Sequence, residues 1–124
     1  MADLFADTYA LVEILKGNPN YEKYSGRSLI TTEFNIFELA YALYRDFGDD
    51  AMNILRLVRD EITMEHVRDG DYIEASKIRS LTNKKGKNLS LIDCLGYSCA
   101  KRLGIKFFTG DREFKYMENV EYVK

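Results

Sequence analysis

Short apolar runs with strand character alternate along the whole chain with segments whose apolar residues recur at helical spacing, and the connections between them are short. This alternation constrains the fold more than any other feature. Two parallel strands cannot be joined by a tight turn; they need a crossover, and a helix packed on the sheet supplies it. Strand, helix, strand therefore argues for an α/β fold with a parallel sheet covered on both faces.

Leu4-Phe5-Ala6 reads as the first strand, and after Asp7-Thr8 the positions Leu11, Val12, Ile14 and Leu15 have helical spacing up to a stop at Gly17. Ser28-Leu29-Ile30-Thr31 is the second strand. Thr32, with Asn35 three places on, caps a helix through Phe34, Phe37, Leu39, Ala40, Leu43 and Tyr44. Gly48-Asp49-Asp50 breaks it, and a helix through Met52, Ile54, Leu55 and Val58 leads to a third strand at 61–64. The spacing predicts a helix over 69–81, a polar loop over 83–88, a helix over 90–103 closed by Gly104, and strands at 105–109 and 120–123. The expected architecture is a single domain, 1–124, with three layers (α/β/α) around a mainly parallel sheet of four to five strands.

Composition supports a self-sufficient core: 46% of the 124 residues are hydrophobic, 31% are charged, and there is one proline. No run approaches the ~18 apolar residues of a membrane span, and the amino terminus carries Asp3 and Asp7 instead of a basic, then hydrophobic leader. The expectation is a cytoplasmic protein with no membrane partner. Cys94 and Cys99 fall in one helix with their Cβ atoms pointing apart, so both are expected to be reduced and buried. His66 stands alone and reads as a surface or strand-edge residue. Without Cys or His pairs at ligand spacing, any metal would be held by oxygen.

In open parallel sheets ligands bind beyond the carboxyl ends of the strands, where strand order reverses. Asp7 directly follows the first strand, and Asp111 follows Phe107-Phe108-Thr109-Gly110. Either acid alone is equally well explained as a turn or cap residue. Asp93 sits in Ser90-Leu91-Ile92-Asp93, which has the form of a capping box, yet it lies in a helix that reads as largely buried, with Gly96 and Ala100 leaving open space on its face. Glu38 interrupts the apolar run Ile36-Phe37-Glu38-Leu39-Ala40, where an unpaired carboxylate is costly. If the four converge, their repulsion opposes folding unless a cation neutralises them. Clustered carboxylates with few basic partners suit Mg²⁺ or Mn²⁺.

Asp7-Thr8, Glu38 within Asn35-Ile36-Phe37-Glu38-Leu39, Asp93 within Ser90-Leu91-Ile92-Asp93-Cys94, and Thr109-Gly110-Asp111-Arg112-Glu113-Phe114 resemble, in that order, the motifs of the PIN-domain family, in particular its short VapC-like toxins. The resemblance extends over nearly the whole chain. It implies an endoribonuclease dependent on Mg²⁺ or Mn²⁺, a homodimer, and a cognate VapB-like antitoxin whose tail covers the acidic site. Asp7 and Asp93 are expected to bind the principal metal ion, with Glu38 and Asp111 completing the site directly or through water. Thr8, Asn35, Ser90 and Thr109 are expected to orient carboxylates or waters. Tyr9 departs from the family pattern, as do Gly96 and Tyr97.

With a net charge of −2 there is no global attraction to nucleic acid, so RNA must be held locally. Lys84, Lys85 and Lys87 are the candidates for phosphate contacts, although a short lysine loop is more often a solvated turn. Glu113 reads as an exposed helix residue more readily than as a further acid. A catalytically silent module that binds RNA or protein is a competing reading, as is an RNA-maturation nuclease outside a toxin–antitoxin pair. The acidic quartet argues against the first. A covalent phosphatase would want Asp-x-Asp where Asp7-Thr8-Tyr9 stands, a phospho-receiver domain would want a lysine after a late strand, and the segment 83–88 lacks phosphate-loop spacing.

Overall fold

The computed structural model describes residues 3–124. Five strands, β1 (Leu4–Ala6), β2 (Leu29–Thr31), β3 (Thr63–Met64), β4 (Lys106–Thr109) and β5 (Val120–Tyr122), form one sheet in the order β3-β2-β1-β4-β5. Every neighbouring pair is parallel. Leu4 lies beside both Leu29 and Lys106, so β1 is the centre from which the chain first builds outward to β3 and then, on the other side, to β5. Strand order reverses between β1 and β4.

The crossovers carry α1 (Thr8–Leu15), then α2 (Glu33–Phe47) with α3 (Ala51–Glu61), and finally α4 (Asp69–Lys84) with α5 (Leu91–Leu103). Successive β1 residues point to opposite faces. Leu4 and Ala6, with Phe108 of β4, enter a core built with Leu11, Leu39 and Val58 of α1, α2 and α3. Phe5 and Phe107 enter a second core with Ala75 of α4 and Cys94, Leu95 and Tyr97 of α5. These are the expected three layers. β1 is buried on both faces, which is why its sequence is continuously apolar instead of alternating.

Glycine permits the closest helix–sheet contact. A Cβ on Gly96 would stand 2.8 Å from the Phe5 ring and 3.0 Å from that of Phe107, so only a bare α-carbon lets α5 lie this near the sheet. The space expected beside Gly96 is therefore filled, and Gly96 shapes the core.

Other differences have local causes. α3 runs on to Glu61, which leaves β3 only Thr63–Met64, and α4 runs on to Lys84, which shortens the predicted loop. Pro19–Tyr24, expected as a connection, is a 3₁₀ turn whose buried Tyr21 and Tyr24 rings stack against Phe108 at 5.2 and 4.6 Å between centroids. α2 is apolar on two sides, and the sheet takes the side bearing Ile36, Leu39 and Leu43. Its other side leaves Phe37 78%, Tyr41 69% and Tyr44 68% exposed. His66 is exposed, and Cys94 and Cys99 are free, buried thiols. Among the described residues no helix is long and apolar enough to cross a membrane.

Candidate active site

Asp7 ends β1 and begins α1. Its amide donates to the Phe108 carbonyl at 3.1 Å, carrying the sheet one residue past the strand. Its side chain caps the helix, with Oδ1 accepting from the Ala10 amide at 2.9 Å, while Oδ2 accepts from the Thr109 hydroxyl at 2.6 Å. The residue is only 3% exposed. Burial pushes its carboxyl up to about 7 despite those two hydrogen bonds, and the charges of Asp93 and Asp111 push the same way.

Thr109 joins the first acid to the last. The hydroxyl that donates to Asp7 also accepts the Asp111 amide at 3.0 Å. Asp111 Oδ1 in turn accepts the Glu113 amide at 3.0 Å, which winds the chain into the short 3₁₀ turn Arg112–Phe114 and buries Phe114. The two acids thus meet at the β1–β4 boundary through a shared threonine.

Asp93 arrives from α5. The capping box forms, with the Asp93 amide donating to Ser90 Oγ at 3.0 Å and the Ser90 amide donating to Asp93 Oδ2 at 2.9 Å. Capping and convergence coexist in this residue: burial, and then the neighbouring Asp111, hold its carboxyl above the usual carboxylate range, while Asp93 itself raises Asp7 and Glu38.

Glu38 is half-buried on α2 and is not unpaired, as the sequence had implied. The Thr8 hydroxyl donates to Glu38 Oε1 at 2.6 Å. Asn35 Nδ2 donates to Thr8 Oγ1 at 3.3 Å, and Thr32 Oγ1 donates to Asn35 Oδ1 at 2.7 Å. Because Thr8 accepts from Asn35, its own proton is aimed at the carboxylate. Burial still raises the Glu38 carboxyl, against the Thr8 hydrogen bond and with Asp93 adding to it.

A common pattern emerges among the acids. Glu38, Asp93 and Asp111 each commit one oxygen to a protein donor, and Oε2, Oδ1 and Oδ2 respectively have no hydrogen-bond donor among the described residues. No lysine or arginine among the described residues forms an ion pair with any of the four. Nor do three or more His, Cys, Asp or Glu side chains among those residues stand together closely enough to hold a metal ion as they are placed. The arrangement is an open, oxygen-only cluster of like charges, the donor chemistry of a hard cation that keeps part of its water shell.

The lysine loop lies next to this cluster. Lys87 Nζ donates to the Glu113 carbonyl at 2.9 Å, and the Asn88 amide donates to Glu113 Oε1 at 3.1 Å. Glu113 is therefore a half-buried clamp that ties the segment before Ser90 to the turn after Asp111. Nothing local in the sequence signals this pairing. Lys84 and Lys85 are exposed.

The PIN-domain family profile matches residues 4–120. The chain belongs to the PIN-domain family. No curated relative matches the sequence, whereas solved structures do. The VapBC2 complex of Rickettsia felis, bound to a DNA fragment from its promoter, contains a chain with a TM-score of 0.77 and 15% identity, covering 99% of this chain and 100% of that one. VapC20 of Mycobacterium tuberculosis, a toxin that cleaves the sarcin–ricin loop, gives 0.76 and 17%, covering 98% and 99%. DNA-bound VapBC of Salmonella typhimurium gives 0.75 and 16%, covering 98% and 97%. At these identities the likeness is one of fold: this PIN domain has the VapC architecture end to end.

Proposed function

We propose that this PIN domain is a Mg²⁺- or Mn²⁺-dependent endoribonuclease and the toxin of a VapBC-type pair. The observation that carries the reading is the convergence of Asp7, Glu38, Asp93 and Asp111 at the carboxyl edge of the sheet with no cationic partner among the described residues. Asp7 and Asp93 would hold the principal ion, with Glu38 and Asp111 completing the site directly or through water. Such an ion supplies a water of lowered pKa and stabilises charge developing on the phosphate.

The chain's own groups do the positioning. Thr109 fixes Asp7, the Ser90 amide fixes Asp93, and Asn35 acting through Thr8 fixes Glu38, so that each of these carboxylates presents a set orientation. Lys84, Lys85 and the two remaining protons of the Lys87 ammonium supply phosphate contacts where the net charge supplies none. The exposed aromatic side of α2, the helix whose other face carries Glu38 into the acid cluster, supports a VapB-like antitoxin or a second copy as partner, since a helix apolar on both sides is ordinarily covered.

The experiment is incubation of the purified protein with structured RNAs and Mg²⁺ or Mn²⁺, beside Asp7→Asn and Asp93→Asn variants. Loss of cleavage in both variants and in EDTA is expected. Cleavage that survives either treatment would overturn the mechanism, and a short DNA-binding antitoxin gene next to this one would favour the toxin assignment over RNA maturation.

A further inference from the structure

The acid centre repels the substrate it is proposed to cut. A phosphate chain approaching four carboxylates on a protein of net charge −2 gains little from long-range attraction, so the strand must be held by contacts that do not depend on net charge. One such surface borders the centre on the Asp111 side. Tyr9, the second residue of α1, lies two positions beyond Asp7 and is 37% exposed. Its ring rests on the backbone of Gly110, where a Cβ would collide with it, with the Val123 carbonyl and with the Tyr21 hydroxyl. The Tyr21 hydroxyl is already engaged with the Val123 carbonyl. No hydrogen bond among the described residues engages the Tyr9 hydroxyl.

Tyr122 continues this surface. It pairs with Thr109 in the sheet, so it stands one strand outward from the threonine that holds Asp7, and the carbonyl of the next residue, Val123, borders the same Gly110 site as the Tyr9 ring. The Lys115 ammonium is 5.9 Å from the centre of the Tyr122 ring and 5.5 Å from that of Tyr116, which places a positive charge beside the half-buried Tyr122 and the exposed Tyr116. Aromatic faces beside a lysine match the chemistry of one unpaired nucleotide: a base that stacks and a phosphate that pairs.

We propose that Tyr9 and Tyr122, with Lys115, form a seat for one unpaired base and its phosphate, holding a single-stranded stretch of RNA beside the scissile position. The seat rests on the nuclease reading. A base within a duplex is already stacked on both sides and cannot use it, so the selectivity is for loops, bulges and ends. Tyr9 contributes a ring two residues from Asp7, and Gly110 is the glycine that lets this ring approach the turn.

The test separates binding from cleavage. An Asp93→Asn protein in EDTA is titrated with short oligoribonucleotides carrying 2-aminopurine at successive positions. Stacking on the seat is expected to quench the probe at one or two positions, and not in a fully paired duplex. Tyr9→Ser in that background is expected to weaken binding about tenfold, Tyr122→Ser to weaken it in the same direction, and Tyr9→Phe to restore it. With an intact acid centre, Tyr9→Ser is expected to raise KM by more than it lowers kcat. Position-specific quenching without cleavage by the unmodified protein would retain the seat and overturn the nuclease. Cleavage with KM and quenching indifferent to both Tyr9→Ser and Tyr122→Ser, in variants whose thermal midpoints match the parent, would overturn the seat alone.

Discussion

The Thr109 hydroxyl faces Asp7 Oδ2 at 2.6 Å across two adjacent strands, and the same oxygen accepts the Asp111 amide at 3.0 Å. Residues 102 positions apart are thereby held in one hydrogen-bonded unit. Asp7, which ends β1, and Asp111, which follows β4, are fixed relative to one another by the protein alone.

Thr109→Val keeps the volume of the side chain and removes both hydrogen bonds. A buried carboxyl group and a backbone amide each lose a partner, so unfolding in denaturant is expected to become easier by about 1–3 kcal/mol. The lost donor also lowers the acidity of Asp7 further, because the Thr109 hydrogen bond opposes the effect of burial. Calorimetric titration is expected to show Mn²⁺ binding weakened by about 10- to 100-fold. Unchanged binding would mean that Thr109 does not orient the ligand.

Asp7 also gives the metal-free protein an unusual pH dependence. Its carboxyl is raised from 3.8 to about 7, chiefly by burial. Between those values the native state keeps a proton that the unfolded chain has released, so this group's contribution to stability is fully present below about 4, falls as pH rises, and is gone above about 7. At ~1.4 kcal/mol per unit the swing is about 4 kcal/mol. Urea unfolding in EDTA is expected to show a higher midpoint at pH 5.5 than at pH 8, and Asp7→Asn to flatten the difference. On the proposed metal reading Mg²⁺ binds the ionised form, so saturating Mg²⁺ is expected to protect more at pH 8 than at pH 5.5. A wild-type midpoint in EDTA that does not move would refute the assignment.

Gly96→Ala inserts a methyl group 2.8 Å from the Phe5 ring. α5 must retreat from the sheet or both rings must leave their rotamers, at about 1–3 kcal/mol. Chemical denaturation is the direct measurement. Because Asp93 rides on the same helix, metal affinity is expected to fall with stability, whereas an alanine at an exposed position of α4 such as Lys77 leaves both in place.

Away from the acids, Arg102 of α5 places Nε 2.8 Å from Asp71 Oδ1 and Nη2 3.0 Å from Asp71 Oδ2 and 2.8 Å from Glu65 Oε2. This fork ties α5 to α4 and to the segment after β3. Arg102→Met strands the buried Asp71 carboxylate and is expected to destabilise the fold by about 3 kcal/mol. Asp71→Asn combined with Arg102→Met is expected to recover part of the loss, and a double-mutant cycle with no coupling would show that the pair is incidental.

How much of this was legible in the sequence depends on whether the controlling interaction is local. Asp7 and Asp111 could be placed because strand propensity is local and the position of a ligand at the reversal of a parallel sheet follows from topology. Glu38 was visible as a carboxylate in an apolar run, but the Thr32–Asn35–Thr8 relay that receives it joins two elements separated by a crossover. α2 could not be oriented from periodicity, since Phe34, Phe37, Tyr41 and Tyr44 make as good a stripe as Ile36, Leu39 and Leu43. The Lys87–Glu113 clamp and the contact of Tyr9 with Gly110 likewise join residues with no sequence relation, so the lysines read only as a basic loop and Tyr9 only as a departure from the family pattern.

That last contact limits how relatives of this protein can change. Any side chain at 110 would meet the Tyr9 ring, the Val123 backbone carbonyl and the Tyr21 hydroxyl at once, so loss of the ring alone does not open the position: the neighbouring strand demands glycine at 110 as much as Tyr9 does. Relatives that keep this strand pairing are therefore expected to keep the glycine whatever residue stands at 9.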